Sequence, residues 1–167
     1  VSLTSITIPD SVTYVYDDAF AICTNLKTVS LGNSLTNIAG YMFSGCTSLE
    51  SITIPKSVTS IEGEAFFNCW DLTTINVPED PQLTSIGDQA FAYCSKLAAI
   101  TIPKSVTSIG EGAFYDCDGL VTIDLKNVTS IGSKAFYNCT SLASVTIPNS
   151  VTTIGNNAFW YCSNLTS

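Results

Sequence analysis

"VTSIGEGAFYDC", residues 106–117, returns along the chain as "VTSIEGEAFFNC" from Val58, "LTSIGDQAFAYC" from Leu83, "VTSIGSKAFYNC" from Val128 and "VTTIGNNAFWYC" from Val151. Two looser copies, "VTYVYDDAFAIC" from Val12 and "LTNIAGYMFSGC" from Leu35, precede them. The closing cysteines stand at 23, 46, 69, 94, 117, 139 and 162, so the spacings are 23, 23, 25, 23, 22 and 23 residues. Each cysteine has Phe three residues before it and Leu three residues after it. The whole unit therefore reads L-x-x-I-x-I-P-x-S-V-T-S-I-G-x-x-A-F-x-x-C-x-x. Self-similarity at a fixed period of this order marks a solenoid, in which one unit cannot bury its apolar edge and neighbours must stack.

Within the unit, apolar alternation in Ile52-Thr53-Ile54, Ile100-Thr101-Ile102 and Val145-Thr146-Ile147 predicts one short parallel strand per repeat, branched side chains inward. Proline closes that strand in five units, at Pro9, Pro55, Pro78, Pro103 and Pro148. A second short extended segment follows, such as Val106 to Ile109, and Gly87, Gly110, Gly132 or Gly155 ends it. The A-F-x-x-C stretch is too short for a full helix and predicts a single helical or 3-10 turn. The expected fold class is thus an α/β repeat solenoid, one array over residues 1–167 of about seven repeats. Length changes in "NVPEDPQLTSI" and "DLKNVTSI" fall at the turn leaving the first strand, where a surface connection absorbs them.

This unit, LxxIxIPxSVTSIGxxAFxxC, resembles the BspA-like class of leucine-rich repeats over practically the whole chain. Departures sit near the start, where Tyr14 and Tyr16 replace Ser and Gly, and Gly32 replaces Pro. The resemblance implies a leucine-rich-repeat arc with the parallel strands on its concave face. It also implies an extracellular or cell-surface location and a link to adhesion on host proteins or other cells.

Composition narrows the function classes. Fourteen acidic residues face six lysines, with no Arg and no His, for a net charge of −8. Phosphate neutralisation needs clustered Lys and Arg, so nucleic acid and anionic membranes are disfavoured as partners. No apolar run is long enough to span a bilayer as a helix, so no membrane insertion is expected. Without His, the usual general base and the commonest metal ligand are both missing, and no enzyme activity or cofactor is expected. The chain opens at "VSLTSI" and stops at "NLTS", both mid-repeat, so it is expected to be a fragment of a longer array or to associate end to end.

Three readings compete for the cysteines. Zinc wants converging ligands, whereas these lie one per layer. Seven cannot all pair within the chain, and equivalent side chains on stacked layers point in parallel, against disulfide geometry. The remaining reading is a buried ladder of free thiols beside the Phe ladder.

Candidate binding residues lie on outward rows. If Ile faces inward, the sheet presents Ser5/Thr7, Thr28/Ser30, Ser51/Thr53, Thr74/Asn76, Ala99/Thr101, Thr122/Asp124 and Ser144/Thr146. This hydroxyl-rich, nearly uncharged face suits a protein or glycan partner, and equally suits plain solvation. A second row follows the ladder Phe: Phe67, Tyr115, Tyr137 and Trp160, interrupted by Ala92, with Trp70, Tyr93 and Tyr161 close in sequence. Aromatic anchors are enriched in binding hot spots, though such rings also roof repeat edges. Acidic turns at Asp17/Asp18, Glu62/Glu64, Glu79/Asp80 and Asp116/Asp118 read as solvated carboxylates, Asp116-Cys-Asp118-Gly119 lacking the further oxygens of a calcium loop. Sequons at Asn127, Asn138 and Asn164 matter only in a eukaryotic secretory pathway. The leading functional expectation is a non-enzymatic interaction module of an adhesin-like protein. The rivals are a structural spacer without its own ligand and an ice-binding protein using the Ser/Thr ranks.

Overall fold

The computed structural model describes residues 2–78 and 82–167. Each repeat forms one coil, counted here by its cysteine, from coil 1 (Cys23) to coil 7 (Cys162). The I-x-I stretch gives the three-residue strands β1 (Ser5–Thr7), β2 (Thr28–Ser30), β4 (Ser51–Thr53), β6 (Thr74–Asn76), β8 (Ala99–Thr101), β10 (Thr122–Asp124) and β12 (Ser144–Thr146). The S-I stretch gives the two-residue strands β3 (Asn37–Ile38), β5 (Ser60–Ile61), β7 (Ser85–Ile86), β9 (Ser108–Ile109), β11 (Ser130–Ile131) and β13 (Thr153–Ile154). Their pairings are parallel, and equivalent residues stand opposite one another, as in Ile52↔Ile75 and Ile109↔Ile131.

The two faces differ in continuity. The short strands make one six-stranded sheet from β3 to β13. The longer strands divide into a four-stranded sheet (β1-β2-β4-β6) and a three-stranded sheet (β8-β10-β12). The division falls between coils 4 and 5, next to the two-residue sequence insertion after Pro78. Within the four-stranded sheet, β2 and β4 share only the pair Thr28↔Ser51, whereas β1–β2 and β4–β6 share three pairs each.

The third side of each coil corrects the expected fold class. No helix, α or 3-10, occurs among the described residues, and the molecule is a parallel β-solenoid rather than an α/β one. The reason lies in where the A-F-x-x-C amides point. In coil 4, the N–H groups of Gln89, Phe91 and Tyr93 donate to the carbonyls of Glu111, Ala113 and Tyr115 in coil 5, at 2.7–2.8 Å. The alternate amides of Ala90, Ala92 and Cys94 donate three residues back, to Gly87, Gln89 and Phe91. A helix needs every successive amide for its own ladder and a negative φ throughout. Here half the amides serve the next coil, and two residues per coil turn left-handed, as at Gln89 (φ 52°) and Tyr93 (φ 62°). The same two places hold Glu64 and Asn68 in coil 3, Gly112 and Asp116 in coil 5, and Lys134 and Asn138 in coil 6.

Inward positions form continuous ranks. Phe20, Phe43, Phe66, Phe91, Phe114, Phe136 and Phe159 stack with ring centroids 5.2–5.7 Å apart and planes within 16° of parallel. That spacing is set by the separation of adjacent parallel strands, about 4.8 Å. Leu26, Leu49, Leu72, Leu97, Leu120 and Leu142 fill the opposite corner, fully buried. Where the S-I strand ends, an added Cβ at Gly132 would lie 2.5 Å from the carbonyl carbon of Gly110, so backbone meets backbone at that corner.

Candidate functional site

The thirteen polar candidates on β1, β2, β4, β6, β8, β10 and β12 all project outward and are exposed, while the central residue of each strand turns into the core. Registered pairing places Ser5 beside Thr28, Ser51 beside Thr74 and Thr122 beside Ser144, so the hydroxyls run in files along the stack. Side-chain bonds within the files are few and long: Asn76 Nδ2 donates to Thr53 Oγ1 at 3.4 Å. Asp124 is the single acidic member, and its carboxylate accepts the Lys126 amide at 3.1 Å. Most of these hydroxyls therefore keep their hydrogen-bonding capacity toward solvent.

The aromatic row is an unbroken contact chain. Ring centroids are 5.2 Å apart for Phe67–Tyr93, 5.6 Å for Tyr93–Tyr115, 4.8 Å for Tyr115–Tyr137 and 6.5 Å for Tyr137–Trp160. Tyr93 bridges the layer where Ala92 occupies the aligned position, and Tyr161 packs on both Tyr137 and Trp160. Tyr115 and Tyr137 lie parallel to within 2°. One face of each is thus spent on the other, while Trp160 and Tyr161 at the end of the row are exposed. Partial burial, followed by the charge of Asp116, raises the Tyr115 phenol above its ordinary value. Trp70 is 52% exposed and outside the described ring contacts of this row; its indole N–H donates to Asn68 in the same coil.

The cysteines are all free, and Cys46, Cys69, Cys94, Cys117 and Cys139 are buried. Sequence reading did not find what each thiol does. Cys46, Cys69, Cys94, Cys117, Cys139 and Cys162 donate through Sγ to the carbonyls of Phe20, Phe43, Phe66, Phe91, Phe114 and Phe136, one coil back, at 3.0–3.3 Å. Each of these bonds ties two coils at the foot of the Phe ladder. Burial pushes the Cys46 thiol up to about 12, and raises Cys69, Cys94, Cys117 and Cys139 as well.

The acidic turns also hold coils together. Asp17 Oδ1 accepts the Gly40 amide, Asp88 Oδ1 accepts the Glu111 amide, and Glu64 accepts the Tyr41 hydroxyl at 2.8 Å. Asp116 and Asp118 accept from Asn138 and Thr140 of the next coil. No three His, Cys, Asp or Glu side chains converge on a point that could hold a metal among the described residues. Glu79 and Asp80 lie outside the described residues. Of the sequon residues, Asn138 is tied to Asp116 and Asn127 donates to the Lys104 carbonyl at 3.1 Å.

A further rank escaped the sequence reading. The Thr of V-T-S-I recurs in every coil, and Thr59, Thr84, Thr129 and Thr152 donate their hydroxyls to the preceding coil's Thr59-type carbonyl: Thr36, Thr59, Thr107 and Thr129 respectively, at 3.0–3.1 Å. Its signal was the near-invariance of an exposed polar residue, which means here a stacking bond.

Comparison with known proteins agrees with this architecture. No curated protein matches the sequence. Among solved structures, the chain is similar to the leucine rich repeat protein TpLRR of T. pallidum, with 31% identity and a TM-score of 0.92 over 99% of this chain and 79% of that one. It is also similar to a leucine-rich repeat protein from Bacteroides ovatus (32% identity, TM-score 0.76, 98% and 48% covered). A leucine rich cell surface protein from Faecalibacterium prausnitzii follows (30% identity, TM-score 0.63, 100% and 47% covered). The chain thus spans just under half the length of the latter two. The description "BspA type Leucine rich repeat region", in six copies, matches residues 1–118 and 84–167, and the chain belongs to that family.

Proposed function

We propose that this chain is a non-enzymatic interaction module of a secreted or surface-displayed, adhesin-like protein, which binds a protein or glycan through the Ser/Thr sheet face. The observation that carries the reading is the division of labour between rows. The Phe, Leu and Cys ranks, the V-T-S-I threonines and several turn carboxylates are committed to bonds or packing between coils. The sheet-face hydroxyls and amides are exposed in register and largely uncommitted, with a single carboxylate among them. The aromatic row is a second candidate surface, through the exposed Trp160 and Trp70. The naming of one similar protein as a cell surface protein supports the location. Lattice matching to ice is disfavoured, because sheet pairing is interrupted between β6 and β8 and reduced to one pair between β2 and β4.

The test is a triple substitution, Thr101→Lys, Thr122→Lys and Thr146→Lys, assayed on immobilised matrix proteins and a glycan array. These residues are exposed, so folding should be retained and binding lost. Unchanged binding by the folded variant would place the contact elsewhere. Absence of binding by the parent protein to any such partner would favour the spacer reading.

A further inference from the structure

A concavity on the sheet face lies between coils 2 and 3, beside a departure from the repeat. Coil 2 carries "LGNS" where coils 3 and 5 carry "IPKS". An added Cβ at Gly32 would lie 2.5 Å from the Pro9 carbonyl oxygen and 2.9 Å from the Asp10 nitrogen, so coil 2 leans on coil 1 as only glycine permits. Asp10 Oδ1 draws the same corner inward by accepting the Asn33 amide at 2.7 Å and its side-chain Nδ2 at 3.3 Å. Ile8 N donates to Ser30 O at 2.8 Å, closing the coil 1–coil 2 ladder, and Ile54 N donates to Asn76 O at 2.9 Å, closing that of coils 3 and 4. Between coils 2 and 3 the pairing stops at Thr28↔Ser51. The Leu31 amide and the Thr53 carbonyl make no backbone bond to each other; the equivalent bond is also absent between coils 5 and 6 and between coils 6 and 7, where three pairs remain, so the one-pair register of β2 and β4 is what sets this place apart.

The opening measures about 220 Å³ and is lined by Val29, Ser30, Leu31, Asn33, Thr53 and Pro55. That is smaller than the roughly 300–1,000 Å³ typical of sites for drug-sized ligands, and suits one ring. Its lining pairs an apolar floor (Pro55 with the inward-turned, half-buried Val29 and Leu31) with two hydroxyls and an amide whose nitrogen is already held by Asp10. A backbone donor and a backbone acceptor, Leu31 N–H and Thr53 C=O, complete it. No charged side chain lines it. We infer that this cleft is a subsite for one neutral pyranose of a glycan: the ring's apolar face meets the floor, and its hydroxyls meet Ser30, Thr53 and the two open backbone groups. A charged ligand would find no counter-charge, and a purely apolar side chain would leave the backbone pair unsatisfied. The inference deepens the sheet-face reading and rests on it.

The experiment is amide-resolved NMR titration with glucose, galactose and N-acetylglucosamine, each alone, with N-acetyl-leucine amide as the apolar comparison. At least one sugar should shift Ser30, Leu31, Asn33 and Thr53 in the millimolar range. Ser30→Trp should fill the cleft and abolish the shifts, and Thr53→Ala should weaken them by on the order of tenfold, the loss of one hydrogen bond. Both residues are exposed, so the fold is retained and checked in the same spectra. Shifts from none of the sugars, shifts elsewhere, shifts only from the leucine amide, or shifts that survive Ser30→Trp would each overturn the subsite. Should Ser30→Trp still bind an array glycan that the Thr101/Thr122/Thr146 lysine variant has lost, the cleft fails while the sheet face stands.

Discussion

At Gly132 the missing side chain is the structural requirement. A methyl group there would sit 2.5 Å from both the Glu111 nitrogen and the Gly110 carbonyl carbon, and backbone cannot yield as a flexible side chain does. Gly132→Ala should therefore destabilise by about 1–3 kcal/mol, in the manner of an overpacked core, measured by denaturant unfolding. Gly63→Ala is the control: its nearest atom is the Asp88 oxygen at 3.4 Å, and the change should stay within about 0.5 kcal/mol. The thiols carry a second residue-scale consequence. Burial favours the protonated form, raising Cys46 from an ordinary 9.0 to about 12 and its buried neighbours upward too. Below about pH 9 folded and unfolded chains both hold these protons and the stabilisation is complete. Above it the unfolded chain ionises while the folded one does not, so stability falls as pH rises toward the folded values. Tm should be flat with respect to these groups from about pH 7 to 8 and decline above about 9, less steeply in a Cys94→Ala/Cys117→Ala variant. An undiminished decline in that variant would assign it to other groups.

Each arch from the glycine corner to the cysteine behaves as a third ladder, although no strand is assigned there. Two left-handed residues four apart, as at Gln89 and Tyr93, accompany an arch in which every second amide leaves the coil, which a 3-10 turn cannot do while keeping its own bonds. Far-UV circular dichroism should accordingly lack the helical double minimum, and a helical spectrum would contradict the arch geometry. The Phe ladder is the densest part of this element. Phe114 is fully buried between Phe91 and Phe136, at 5.5 and 5.3 Å, so Phe114→Ala should cost about 3–5 kcal/mol by calorimetry or denaturant.

Over the whole stack, stability is a sum of coil and nearest-neighbour terms. Those terms are unequal. Coils 4 and 5 lack sheet pairing between β6 and β8, and are joined by β7–β9, the arch bonds and the Phe91–Phe114 rung. Phe91→Ala removes one of the remaining ties and should split thermal unfolding into two transitions. Phe136→Ala lies where both sheets are paired, and should lower a single transition. If both variants unfold in one step, the missing sheet pairing is energetically unimportant.

Much of this was readable as pattern. The period, the inward Phe, Leu and Ile ranks, the outward Ser/Thr files and the buried thiols follow from residue type at fixed spacing, because stacking identical coils gives equivalent positions equivalent surroundings. The Cys46-to-Phe20 type of bond, the turn carboxylates capping the next coil and the arch that replaced the expected helical turn were not readable. Each depends on which neighbouring coil a given polar group reaches, and a one-coil pattern does not contain that partner. The cleft beside Ser30 and Thr53 is the sharpest instance. Gly32 for Pro was visible as a departure, whereas the one-pair register of β2 and β4 beside it is a property of two coils together.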